Sequence, residues 1–246
     1  MAAPQLAPVR GVLLDIEGTT ASISFVHDVM FPYAAERLEQ FLATEWEKSE
    51  VQQACQQIAR DAGFESLDQW HSATGSSPQQ LVIDQVRRWM AEDAKLTGLK
   101  ALQGLIWQSG FHSGQLQAHV YPDVLPAIDR WRQAGIDVRI YSSGSIAAQK
   151  LFFGHIEGVG NCLDRFSGHY DTTIGGKKES TSYRRIAADW GLPAEEILFI
   201  SDVADELTAA HDAGMQVLAS ERPGNQPLPP DLPFPRIQSF DEAPLP

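Results

Sequence analysis

The stretch LLDIEGTT, Leu13 to Thr20, decides how the chain is read. The apolar run from Val9 to Leu14 is broken only by Arg10 and Gly11, which fits a short buried strand. Asp15 ends the run, and Gly18-Thr19-Thr20 carries the chain into a loop. Two later stretches repeat this design. Ile136 to Tyr141 runs into Ser142-Ser143-Gly144-Ser145, and Ile197 to Ile200 runs into Ser201-Asp202-Val203-Ala204-Asp205-Glu206. Parallel strands bring their carboxyl ends to one rim, so these three polar clusters should meet in space.

The rest of the carboxyl-terminal half alternates strand and helix. Helices are predicted over Pro122–Arg132, Ile146–Phe153, Glu179–Trp190 and Ala204–Ala213, with further strands over His169–Ile174 and Met215–Ala219. Such alternation implies a Rossmann-like parallel sheet with flanking helices, an α/β fold with right-handed crossovers. From Phe25 to about Gln117 the texture is helical instead. Val29, Tyr33, Leu38, Phe41 and Leu42 recur at helical spacing, as do Leu81, Val82, Val86, Trp89 and Met90 behind Ser77 as N-cap and Pro78 at the first helical position. The expected organisation is an α/β core of residues 1–22 and 120–246, with an all-helical cap of residues 23–119 inserted after the first strand. From Pro223 onward the chain holds eight of its fifteen prolines and should be an extended surface tail with little regular structure.

Composition narrows the function classes. The 246 residues carry 32 acidic and 19 basic side chains, a formal net charge of −13. That balance argues against a nucleic-acid or anionic-membrane partner, since both need a net positive face. Cys55 and Cys162 make no disulfide framework and read as buried small side chains. No window approaches the ~20 apolar residues of a membrane span, and MAAPQLAPVR lacks the apolar run of a signal peptide, so a soluble cytoplasmic protein is expected. No long exposed apolar stripe demands a partner, and a monomer is the default.

The rim chemistry points to phosphate. Asp15 and Asp202 are hard oxygen ligands suited to a Mg²⁺ that keeps several waters. A carboxylate can also attack phosphorus to form an aspartyl-phosphate. Glu17, two residues beyond Asp15, is placed to act as general acid and then as general base. Ser142 or Ser143, with the N-terminus of the following helix, can hold phosphate oxygens. Lys177 or Lys178 in the Gly175-Gly176 turn can add positive charge. Asp205 and Glu206, in the first turn of a helix where acids are favoured anyway, read as structural or supporting rather than as direct ligands. His27 is noted because it follows the first cluster at the entrance to the helical insert. Trp46, Trp70, Trp89 and Trp107 read as core of that insert.

These clusters, in this order, resemble the haloacid dehalogenase-like hydrolases: an acid pair after the first strand, a Ser after the second, a downstream Lys and an acidic group after the fourth. Glu17 departs from the usual second Asp by one methylene. With it, LLDIEGTT, the Phe31-Pro32 pair, YSSGS (Tyr141–Ser145), AQKLFFGH (Ala148–His155), GHYDTTIGGKKESTSYRRIA (Gly168–Ala187) and RPGN (Arg222–Asn225) resemble the enolase-phosphatase family of methionine salvage. The resemblance implies Asp15 as nucleophile and metal ligand, and Glu17 as acid/base that also touches the metal through its main-chain carbonyl. It implies Ser142, Ser143 and Lys177 as substrate ligands, Asp202 as metal ligand, and one Mg²⁺ per subunit. The implied reaction enolises 2,3-diketo-5-methylthiopentyl-1-phosphate, a small phosphorylated diketone. It then dephosphorylates it to 1,2-dihydroxy-5-methylthiopent-1-en-3-one. The rivals are a simple phosphomonoesterase of the same superfamily, a halide-displacing hydrolase and a phosphoacceptor module.

Overall fold

The computed structural model describes residues 8–246, so most of the MAAPQLAPVR stretch, and with it the reading that it is not a signal peptide, lies outside the described residues. The described chain divides into two compact units. One holds the chain up to Val26 and from Gln117 onward, and the other is His27–Leu116.

The first unit is a six-stranded, all-parallel sheet. Its strands are β1 (Gly11–Leu14), β2 (Asp137–Tyr141), β3 (Gly168–Tyr170), β4 (Ile197–Ser201), β5 (Gln216–Ser220) and β6 (Arg236–Ile237), in the order β3-β2-β1-β4-β5-β6. β1 is central and wholly buried, as its unbroken apolar composition requires. It pairs in register with both neighbours: Leu14 lies opposite Ile140 of β2 and Ile200 of β4. Strand order reverses beside β1, and ligands bind open α/β sheets outside such a switch point. The three polar clusters therefore leave adjacent strands at matched heights.

Helices of this unit cover the sheet. Tyr183, Ile186 and Trp190 of Ser180–Trp190, with Leu207 and Ala210 of Ala204–Asp212, pack with Leu13, Tyr141, Phe199 and Val217 of the strands. Removing each such side chain from water contributes roughly 1.5–3 kcal/mol. The helices Val124–Gln133 and Ile146–Gly154 complete the unit.

The second unit is helical, with no strand among its described residues. Its helices are α1 (Phe31–Glu45), α2 (Ser49–Asp61), α3 (Leu67–Thr74), α4 (Pro78–Ala91) and α5 (Thr97–His112). With them numbered, the helices of the first unit become α6 (Val124–Gln133), α7 (Ile146–Gly154), α8 (Ser180–Trp190) and α9 (Ala204–Asp212). Ser77 caps α4 as expected, its Oγ accepting from Gln80 N, with Pro78 next. Leu38, Leu42, Ile58, Val82 and Leu102 form the core with Trp70 and Trp89, and Trp46 and Trp107 pack against it. Gly98 lets α5 approach α2 closely, because a Cβ there would lie 2.6 Å from Ile58 N.

Four expectations are corrected. The proline-rich tail has little regular structure, as expected, but it does not lie wholly at the surface. Its Arg236–Ile237 pairs with Ala219 and Ser220 as the sixth strand, and Ile237 and Phe240 are fully buried. Proline spacing hid this, because a two-residue edge strand leaves no periodicity to read. β3 stops at Tyr170 rather than Ile174, because the Asp171 carboxylate folds the chain back by accepting from Thr173 N and Oγ1. Val29 is exposed, since Phe25–Met30 is a π-helical stretch whose wider turn rotates it off the apolar face that starts in α1. Leading the first strand from Val9 was also too long by two residues.

His169 on β3 is half-buried, with Nδ1 3.1 Å from Gln149 Oε1, and burial pushes its pKa down to about 4 from the ordinary 6.5. A depressed His pKa means that the unfolded chain binds the proton more readily. Stability is therefore lost as pH falls from about 6.5 and levels off below about 4. Within that window the folding constant should drop up to roughly tenfold per pH unit on account of this group. Chemical denaturation of the wild type and His169→Gln at pH 7, 6, 5 and 4 checks this. The wild type should lose stability more steeply, and a pH-independent difference would contradict it.

Candidate active site

Asp15 stands one residue past β1. Its N–H donates to Ile200 O of β4, and its Oδ1 accepts from Ile16 N at 2.8 Å, so backbone bonds on both sides fix the carboxylate. Its side chain is 5% exposed. Lys177 Nζ lies 2.7 Å from Asp15 Oδ1 and 2.7 Å from Glu206 Oε2, at the first turn of α9. Ser201 Oγ, at the end of β4, donates to Glu206 Oε2 at 3.0 Å and lies 3.4 Å from Asp15 Oδ2.

Lys177 reaches this position because three hydroxyls pin the loop that carries it. Tyr141 of β2 donates to Gly175 O, Ser182 of α8 to Gly176 O, and Tyr183 of α8 to Lys177 O. Its ammonium also lies over the Tyr141 ring. Lys178 points away and pairs with the exposed Asp205. Of the two Lys and two acids left open by sequence, Lys177 and Glu206 enter the cluster, and Lys178 and Asp205 do not. Glu206, read from sequence as structural or supporting rather than a direct ligand, is a buried ion-pair partner of Lys177. The signal available was its place four residues after Asp202, one helical turn on.

Asp202 sits against the first loop. Gly18 has φ +71, a conformation that favours glycine, and a Cβ there would lie 2.2 Å from Asp202 Oδ2. Burial, then the negative charge of Asp15, pushes the Asp202 carboxyl up to about 7, with Glu17 adding to the effect. Glu206 is likewise pushed up to about 7 by burial and Asp15. Lys177 is held above its ordinary range: burial alone would lower it, but Asp15 and Glu206 outweigh that. The ammonium thus stays charged and offsets one of several carboxylates crowded in low dielectric.

The second cluster is braced from β3 and α7. Ser142 N donates to Tyr170 O, and Ser142 Oγ accepts from Gly144 N. Ser145 is the N-cap of α7. Asp171 Oδ2 accepts from Ile146 N, and Gln149 Nε2 donates to Gly144 O and Tyr170 O. Ser142 is buried and Ser143 exposed at this helix N-terminus. Asp171 and Gln149 went unremarked in the sequence because they hold backbone rather than face outward.

Whether a hydrated cation suits the rim is tested by its donors. No group of three His, Cys, Asp or Glu side chains forms a metal cage among the described residues. Two carboxylates, Asp15 and Asp202, with carbonyls and water suit Mg²⁺, which seldom takes an all-protein cage. Three buried side-chain oxygens of the surrounding loops, Thr19 Oγ1, Tyr121 OH and Asn225 Oδ1, have no hydrogen-bond partner among the described residues. Excess negative charge with unsatisfied polar atoms nearby fits a hydrated cation.

Residues 9–214 match the model of the family described as hydrolase, haloacid dehalogenase-like hydrolase. A protein of Aquifex aeolicus named Enolase-phosphatase E1 is 46% identical over 95% of this chain and 98% of its own. Proteins of the same name from Pseudomonas aeruginosa strain LESB58 and Drosophila willistoni are 47% and 44% identical, each over 91% of their length and over 88% and 91% of this chain. The chain belongs to the enolase-phosphatases, within the haloacid dehalogenase-like hydrolases. A crystal structure of the Saccharomyces cerevisiae UTR4 protein matches with TM-score 0.77 at 32% identity, over 95% of this chain and 99% of that one. A structure of CbbY from Rhodobacter sphaeroides with xylulose bisphosphate, TM-score 0.56 at 15% identity over 95% and 96% of the chains, shares the fold. Glu17 lies in the loop that Gly18 turns against Asp202.

Removing a buried cation from between two carboxylates costs about 3–5 kcal/mol. Lys177→Met should lower the unfolding free energy by roughly that much, whereas Lys178→Met, on the exposed pair, should leave it unchanged. Denaturant titration of both variants checks this, and equal effects would contradict the separation of the two lysines.

Proposed function

We propose that the chain is a Mg²⁺-dependent enolase-phosphatase. It would convert 2,3-diketo-5-methylthiopentyl-1-phosphate to 1,2-dihydroxy-5-methylthiopent-1-en-3-one and phosphate. The observation that carries the reading is the buried Asp15–Lys177–Glu206 cluster beside Asp202 at the carboxyl ends of adjacent strands. Family membership is its second support.

In this reading Asp15 and Asp202 hold the cation together with the Glu17 carbonyl. Bound there, Mg²⁺ would supply positive charge to the phosphoryl oxygens and to the oxygen that gains charge in the enolisation. In the enolisation a base takes a proton from the phosphate-bearing carbon, acidified by the adjacent carbonyl; the electron pair left behind forms the carbon–carbon double bond, and the carbonyl oxygen takes a proton to become the enol hydroxyl. In the dephosphorylation a carboxylate oxygen of Asp15 attacks phosphorus in line. The bond to the enol oxygen breaks, and that oxygen takes its electron pair and a proton from Glu17. Glu17 then takes a proton from water as the water oxygen attacks phosphorus. The Asp15–phosphorus bond breaks, the carboxylate is restored and phosphate leaves. Lys177, 2.7 Å from Asp15 Oδ1, orients the attacking carboxylate and gives charge to the transferring group. Ser142, Ser143 and the amino end of α7 hold phosphate oxygens.

The helical unit is assigned the role of cap on its connectivity: the chain enters it shortly after β1 and returns before α6. A cap excludes water and houses the methylthio tail.

With the diketone phosphate and Mg²⁺, an enol absorbance should precede phosphate release. Asp15→Asn should release no phosphate, and chelation should stop turnover of the wild type. Phosphate without a preceding enol signal points to a simple phosphatase. Full turnover by Asp15→Asn refutes the nucleophile.

A further inference from the structure

RPGN, Arg222 to Asn225, is a motif that the reaction above leaves without a task. It follows β5 and closes on the first-motif loop. Arg222 is buried, pairs with Asp123 through both Nη atoms at 3.1 and 2.7 Å, and stacks its guanidinium on Tyr121 and Phe240. Its Nε lies 3.3 Å from Thr19 O. The segment is thereby anchored to the loop that carries Glu17 and Gly18.

Asn225 sits where this anchor delivers it. Its Nδ2 donates to Gly18 O at 2.8 Å, with Ser220 O at 3.4 Å. Those acceptors fix which end of the amide is nitrogen. Oδ1 is therefore turned the other way, buried and without a partner among the described residues. It faces the Asp202 side of Gly18: the position a Gly18 Cβ would take is 3.0 Å from Asn225 Oδ1 and 2.2 Å from Asp202 Oδ2. One water can bridge two such oxygens, since each of its hydrogen bonds spans roughly 2.8 Å. An amide oxygen held in that position by two backbone acceptors is a prepared acceptor, and leaving it dry is costly.

We propose that Asn225 is a positioning residue for the cation: its Oδ1 accepts a hydrogen bond from a water bound to the Mg²⁺ that Asp15 and Asp202 hold. The inference rests on the metal site of the preceding section. The motif then has a physical purpose. The Arg222–Asp123 anchor fixes the backbone, Nδ2 fixes the amide, and Oδ1 orients a water on the metal. Such outer partners of a metal typically contribute 10–100-fold to its affinity.

The alternative role is support of the loop through the Nδ2–Gly18 bond alone, and two variants separate the roles. Asn225→Ala removes both functions. Asn225→Asp removes the donor and keeps an acceptor oxygen. Direct Mg²⁺ binding is measured on the substrate-free protein by calorimetry, with Mn²⁺ paramagnetic resonance as a second readout and the metal-free melting temperature as the check on folding. Asn225→Ala should bind Mg²⁺ at least tenfold more weakly. Asn225→Asp should bind within about threefold of wild type or more tightly, although both lose the Gly18 bond. Ser220→Ala, which removes another hydrogen bond to Gly18 O, should leave affinity unchanged. If Asn225→Ala does not fold, Asn225→Ser, too short to reach the water, takes its place with the same expectation. Equal losses in the Ala and Asp variants, or an Ala variant with unchanged affinity, overturn the inference. A wild-type protein that binds no Mg²⁺ overturns the metal site itself, a separate outcome.

Discussion

One ammonium between two buried carboxylates governs this molecule. Lys177 lies 2.7 Å from both Asp15 and Glu206. Burying carboxylates is costly unless they are paired and hydrogen-bonded. One cation cannot neutralise Asp15, Glu206 and Asp202 together, and burial first, then the charge of Asp15, pushes Asp202 and Glu206 upward. The site is thus built to be short of positive charge. In the proposed reaction a hydrated divalent ion supplies what is missing, and an anionic substrate becomes attractive only then. The overall net charge of −13, which at first seems hostile to a phosphate ester, matters less than this local balance.

Much of the surrounding fold serves to keep Lys177 in place. Its loop has no regular structure, yet hydroxyls of Tyr141, Ser182 and Tyr183 hold three successive carbonyls of it. Those side chains come from β2 and α8, whose apolar faces belong to the same core as Leu13 and Phe199. Sheet packing and lysine placement are therefore one problem. Loosening α8 against the sheet would move the charge on which Asp15 depends.

The central layout was legible in the sequence because strand ends announce themselves. Apolar runs closing on Asp15, Ser142 and Asp202 place all three on one rim, and the in-register pairing of β1 with β2 and β4 puts them side by side. The cap of α4 was legible too, because Ser77-Pro78 is a local signal. What escaped is long-range or lacks period. Glu206 resembled an ordinary first-turn acid until the fold brought Lys177 to it. β6 is two residues long amid prolines, and its burial depends on pairing with β5. Asn225 reaches Gly18 across a sequence separation of 207 residues, a contact that no spacing rule foretells.

In the proposed reaction Asp15 carries the phosphoryl group between substrate and water. Rapid acid quench during turnover of radiolabelled substrate, followed by peptide mapping, measures it. Hydroxylamine-labile phosphate is expected on the peptide that contains Asp15, appearing before free phosphate and disappearing as substrate is exhausted. Phosphate release at the full rate with no label on that peptide at any time would contradict it.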